Sequence, residues 1–122
     1  MALTQVITIA PVALLVGPLG SVESATLDPA ATKFVVVTTP VVWPLSGDVL
    51  KLTVDESQDG GATWRFSAAN SLSGGVWHDK LGGILASDTW TTTFMFAGAN
   101  RKLRLSLDVL QACTVGATAS IQ

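Results

Sequence analysis

KLRLSLDVL, residues 102–110, alternates without a fault: Leu103, Leu105, Leu107 and Val109 point one way, Lys102, Arg104, Ser106 and Asp108 the other. A period of two places successive side chains on opposite faces of an extended chain, so this is a strand with one dry and one wet face. The same reading extends outward. In VLKLTVDE, residues 49–56, Leu50, Leu52 and Val54 oppose Lys51, Thr53 and Asp55. In TWRFSA, residues 63–68, Trp64, Phe66 and Ala68 oppose Thr63, Arg65 and Ser67, and in WTTTFMF, residues 90–96, Trp90, Phe94 and Phe96 face inward around Thr92. CTVGATASI, residues 113–121, sets Cys113, Val115, Ala117, Ala119 and Ile121 against Thr114, Thr118 and Ser120, and its small residues imply a tightly packed or an edge strand. No stretch repeats with a helical period. The expected fold is therefore all-β, a β-sandwich of jelly-roll or immunoglobulin-like kind.

About eight strands are expected, near 3–9, 12–16, 33–39, 49–56, 62–69, 89–97, 102–110 and 113–121, within a single domain of 122 residues (1–122). The stretch 70–88, rich in glycine, is expected to be a long loop and a contact surface. The N-terminal segments QVITIAPVALLVG and FVVVTTP are apolar on both parities, which calls for cover on both faces. Residues 1–16 are accordingly expected to form an arm or edge strand. Candidate interface residues are Leu3, Val6, Ile7, Ile9, Val35, Val37, Trp43, Trp77 and His78, the tryptophans because neither the Pro-flanked Trp43 nor the loop Trp77 has an evident buried place.

Charged residues make up 13% of the chain and apolar ones 48%, against roughly 25% charged in an average soluble domain. A surface so poor in charge is expected to be partly hidden by neighbours. The seven basic residues form no run, which argues against a nucleic-acid partner, and Arg101, Lys102 and Arg104 read as solvated residues at a strand start. Cys113, the one cysteine, allows no internal disulfide and lies on the apolar parity of its strand. The absence of Lys or Arg before Lys33, with Pro11, Gly17 and Pro18 interrupting the apolar run, argues against a signal peptide or membrane anchor.

Catalytic and cofactor motifs are not found. His78 and Asp79 are the one adjacent pair with catalytic or metal-binding character, but no second His accompanies them and no ligand spacing is present. No nucleophile elbow and no phosphate loop occurs, so the expectation is a protein that is not an enzyme, with no cofactor and no metal.

Ser57, Asp59, Gly61, Thr63 and Trp64, in SQDGGATW, match the Asp-box pattern, which is similar to the repeated hairpin of sialidase-like propellers. The resemblance implies a folding device, in which the Asp accepts backbone hydrogen bonds across a turn that Gly60 and Gly61 make possible. One copy in this length cannot build a propeller. The expected role is to hold two strands in register.

The order of an apolar N-terminal arm, the hairpin GDVLKLTVDESQDGGATW, a Gly-rich loop, ANRKLRLSLDV and a short terminal strand resembles small β-sandwich proteins encoded among the virion genes of tailed bacteriophages. The resemblance implies a structural virion protein, made in the host cytoplasm. It would be a capsid decoration (cement) protein that binds the outside of a phage head and stabilises it. Its partners would be the major capsid protein or another virion protein and further copies of itself, as a dimer or trimer, with neither membrane nor nucleic acid. Two other readings stand beside it: a carbohydrate- or receptor-binding module using Trp43, Trp77 and His78, and a tail or neck protein.

Overall fold

The computed structural model describes residues 5–42, 47–73, 76–79, 84–87 and 89–122. They form β1 (Gln5–Glu23), β2 (Lys33–Val42), β3 (Asp48–Ser57), β4 (Arg65–Ser73), β5 (Val76–Asp79), β6 (Ile84–Ser87), β7 (Thr89–Thr93) and β8 (Lys102–Ile121). The fold is all-β, one eight-stranded sheet in the order β6-β5-β4-β3-β8-β2-β7, with β1 also paired to β8. The ends of that path, β6 and β7, are consecutive in the chain, separated only by residue 88. Two Cα atoms so placed lie at most about 7.6 Å apart, so the sheet must curl back on itself into a nearly closed, sandwich-like barrel.

β8 organises the whole. Twenty residues at about 3.3 Å each would run roughly 65 Å if straight, nearly twice the ~35 Å width of a compact domain of this length. The strand must bend round the core and serve both layers. β1 accompanies it antiparallel from Gln5↔Ile121 to Glu23↔Arg104. Its second neighbour changes on the way: β3 along residues 102–109, then β2 along 114–121. The expected strands 102–110 and 113–121 are thus one element, as are 3–9 and 12–16. The alternation of buried and half-buried residues loses its inward member at Leu110–Ala112, where the neighbour changes.

The inward residues of β3 and β8 are those the alternation assigned: Leu50, Leu52, Val54, Leu103, Leu105, Leu107, Val109, Cys113, Val115, Ala117, Ala119 and Ile121 are all buried. Phe34 and Trp90 meet edge to face, 6.0 Å between centroids, with Phe94 at 5.5 Å from Phe34. Burial pushes the Cys113 thiol pKa up, which suits an inert core residue. The small residues near the C-terminus are explained by close approach rather than by an edge. A Cβ on Gly116 would stand 2.6 Å from Val12 Cγ2 and 3.2 Å from the Val12 backbone nitrogen, so only glycine lets β1 lie this near.

Other expectations are corrected by bulges. β1 departs from regular register at four places, between Thr8 and Ala10, Ala10 and Ala13, Leu15 and Gly17, and Pro18 and Ser21, near Pro11, Pro18 and the positive-φ Gly17 and Gly20. The first of these turns the consecutive Ile9 and Ala10 both inward, so Ile9 is a core residue and not an interface residue. In β4 the extra residue Ser67 sits between Ala68, opposite Val54, and Phe66, opposite Asp55. It reverses the expected parity of Phe66, which is 60% exposed. The stretch 70–88 is not a single irregular loop: its described parts belong to β4, β5 and β6, with β5 antiparallel to both others.

Arg101 is also corrected. It is not a solvated strand-start residue but the largest fully buried side chain, 2% exposed. Its guanidinium donates to the carbonyls of Gly98 and Phe96 on one side, and of Asp28, Pro29 and Ala31 on the other. Arg104 is partly exposed and pairs with Asp55 at 3.1 Å, its guanidinium 4.5 Å from the Trp64 ring centroid.

Candidate functional site

Residues 57–64 fold into a closely bonded turn between β3 and β4. Ser57 Oγ donates to Asp59 Oδ1 at 2.7 Å and accepts from the Gly61 N–H at 2.9 Å. Asp59 Oδ1 also accepts from the Thr63 N–H at 2.9 Å, and Oδ2 from the Thr63 hydroxyl. Gly60 and Gly61 carry φ of 75° and 99°, which side chains rarely allow. The Gly60 N–H donates to the Asn100 carbonyl at 2.8 Å, and Trp64 lies half-buried under Arg104. The side chains of Ser57, Asp59 and Thr63 are thus bonded within the turn, and its backbone is tied to Asn100.

The Ser57 hydroxyl first, then Thr63, hold the Asp59 carboxyl well below its ordinary pKa of 3.8. A pKa lowered by folding means that the ionised form stabilises the native state above the unfolded value and that this contribution fades as pH falls below it. Asp59→Asn should therefore lower Tm by a few degrees at pH 7. The difference from wild type should shrink as pH drops below 3.8, and a gap that widened in acid would contradict this assignment.

The surface divides into two faces along β8. Residues directly opposite in an antiparallel pair share a face. On the 113–121 half, Val6, Ser120, Val35 and Thr91 make one row, and Thr8, Thr118, Val37 and Thr89 the next. Lys33 is the one charged residue in β2, β7 and the stretches 5–16 and 113–121 that flank them. Along the same strand β1, Val6 is 70% exposed, Leu14 75% and Val16 67%, with Val12 exposed as well. β1 pairs with β8 and, among the described residues, has no second strand beside it. A Val/Thr face with Lys33 as its one charge among the described residues thus borders a strand edge that is apolar and, among those residues, unpaired.

The other half is different in kind. On β3, β8 and β1 the outward residues include Lys51, Thr53, Asp55, Arg104, Ser106, Asp108 and Glu23. A groove of about 320 Å³ crosses this polar face.

Of the interface residues expected from sequence, the structure brings Val6, Val35 and Val37 together on the uncharged face. Ile7 is half-buried against the core, and Ile9 is within it. His78 is half-buried on β5, opposite Ser71 and away from that face. The Trp77 backbone pairs with Leu72, while its side chain, like Leu3 and Trp43, lies outside what the structure describes. Val12 and Leu19 were missed, because the bulges of β1 decide which of its residues face out. Among the described residues no three His, Cys, Asp or Glu side chains come together as a metal site, and no helix is long and apolar enough to cross a membrane.

No family model and no curated protein sequence matches the chain. Among solved structures, the SPBc2 prophage-derived protein YomS is similar over 99% of this chain and 94% of its own, at 12% identity and a TM-score of 0.51. The Yersinia pseudotuberculosis-derived mitogen is similar over 99% and 85%, at 8% identity and a TM-score of 0.47. The low-affinity xylan binding module CBM86 of Roseburia intestinalis is similar over 98% and 95%, at 12% identity and 0.44. At such identity the likeness to YomS is one of fold: the chain is an all-β module with an architecture also found in a prophage-derived protein.

Proposed function

We propose that this protein is a structural component of a phage particle, a capsid decoration (cement) protein that docks on the outside of the head through its uncharged face. The observation that carries the reading is the exposure of Val6, Leu14, Val16 and Val37 on a surface where, among the described residues, Lys33 is the one charge. Apolar area left in water by the folded chain is area that a neighbour gains by covering, at roughly 25 cal/mol per Å². The unpaired edge of β1 adds a second mode, since its backbone groups can extend a neighbour's sheet. Neither mode needs a catalytic group or cofactor, and the protein acts by binding alone. Its partners are the major capsid protein and further copies of itself. The prophage origin of YomS, whose fold is similar, agrees with this reading.

Removing β1 would not test the idea, because Ile9 and Ala10 belong to the core. Leu14→Glu combined with Val37→Glu puts two charges on the exposed face and leaves the interior alone. Added to heads of the phage that encodes it, wild type should saturate the shell. The double variant should bind roughly 100-fold more weakly, since an unpaired charge is costly to bury, with little change in Tm. Full decoration by that variant would refute the docking face.

A further inference from the structure

The groove on the polar half arises from a backbone irregularity. Between Pro18↔Asp108 and Ser21↔Ser106, β1 spends three residues where β8 spends two, and Gly20 takes φ 84° to absorb the excess. The bulge makes one wall, β3 the other, and β8 runs beneath. Two cross-strand rows line the space: Thr53, Ser106 and Ser21 in one, Lys51, Asp108 and Pro18 in the other.

The state of these side chains is unlike that of the row beside them. There Asp55 and Arg104 satisfy each other at 3.1 Å. Lys51 and Asp108 stand directly opposite in the β3–β8 register, the position from which such a pair would form, yet they make no ion pair. Among the described residues no hydrogen bond engages the side chains of Ser21, Lys51, Thr53, Ser106 or Asp108. Five polar groups thus face one groove with their bonding capacity unspent.

Their chemistry selects among ligands. A phosphate or other anion would meet the Asp108 carboxylate, and a metal cation would meet the Lys51 ammonium with a single carboxylate to hold it. An apolar ligand would strip water from all five groups without replacing its bonds. What suits one donor-only cation, one acceptor-only carboxylate and three hydroxyls, each both donor and acceptor, is a neutral molecule dense in hydroxyl groups. The volume is at the small end of ligand-sized clefts, which start near 300 Å³. We propose that this groove binds a short stretch of neutral saccharide, with Lys51 and Asp108 fixing its orientation and Thr53, Ser106 and Ser21 bonding along it.

This site lies on the polar half of β8, apart from the docking face, so the two readings stand or fall separately. The test is an NMR titration of the full chain, labelled with ¹⁵N, against xylotriose, cellotriose and maltotriose, with trigalacturonate and chitotriosamine as charged counterparts. At least one neutral trisaccharide should shift the amides of Ser21, Thr53 and Ser106 saturably, and neither charged one should do better. Lys51→Met, Asp108→Asn and Thr53→Val should each weaken binding about 10-fold, as loss of a hydrogen bond to a ligand does, while Thr53→Ser keeps it. Tm and head binding should stay as in wild type in all four. Binding by none of the neutral probes, preference for a charged one, or shifts that the three variants leave intact would overturn the site.

Discussion

Arg101→Met is expected to lose about 3 kcal/mol of stability or more, read as an earlier urea midpoint at nearly constant slope. Methionine keeps most of the volume of the side chain, though not its full reach, and donates nothing. Five carbonyls that now share one guanidinium, those of Asp28, Pro29, Ala31, Phe96 and Gly98, would lose it, though that of Asp28 keeps the Ala31 N–H at 2.9 Å. Orphaned buried acceptors cost roughly 1–3 kcal/mol each where water cannot reach them, and some of these lie near the surface and will be rehydrated. The loss of the cation over the Phe94 ring, at 5.1 Å, adds to this. Arg101→Lys keeps the charge but not the fork, and should recover only a part. A midpoint within error of wild type in Arg101→Met would show that the guanidinium is dispensable.

Glu56→Ala is expected to cost about 2–4 kcal/mol for a related reason. Its buried carboxyl accepts from the Ser67 hydroxyl and from the backbone N–H groups of Met95, at 2.8 Å, and Phe96, at 3.2 Å. The segment 94–98 is therefore gripped from both sides: Glu56 takes its N–H groups, Arg101 its carbonyls. Either substitution alone frees much the same segment. The double variant should then cost less than the two separate losses added together, a coupling that distant sites do not show. Hydrogen exchange at the Met95 and Phe96 amides should quicken in both single variants. Strict additivity would mean that the two grips act on the molecule independently.

Both residues were readable in the sequence once the alternation is followed one step further. Arg101 sits on the parity of Leu103 and Leu105, and Glu56 on that of Leu50 and Leu52, so each points inward by the rule that places its neighbours. Charge had outweighed position in the reading of Arg101, although a buried charge needs only a full set of partners. The division of the surface was readable too, since β8 carries Lys102, Arg104 and Asp108 in its first half and no charge after that. The bulges were not. An extra residue in one strand depends on what lies opposite, which a single strand cannot reveal, and this is why Phe66 and Ile9 each came out on the other side. The groove was hidden for the same reason, as its wall is itself a bulge and its two rows come from three distant strands.

The central place of β8 also governs how the molecule can come into being. β1, β2 and β3 each take it as a ladder partner, and among the described strands it comes after all three in chain order. Until the ribosome has released it, the earlier segments wait with unmatched backbone and oily flanks, in the state most prone to clumping. Folding must therefore wait for β8, and its twenty residues act as the zip that closes the strands made before it.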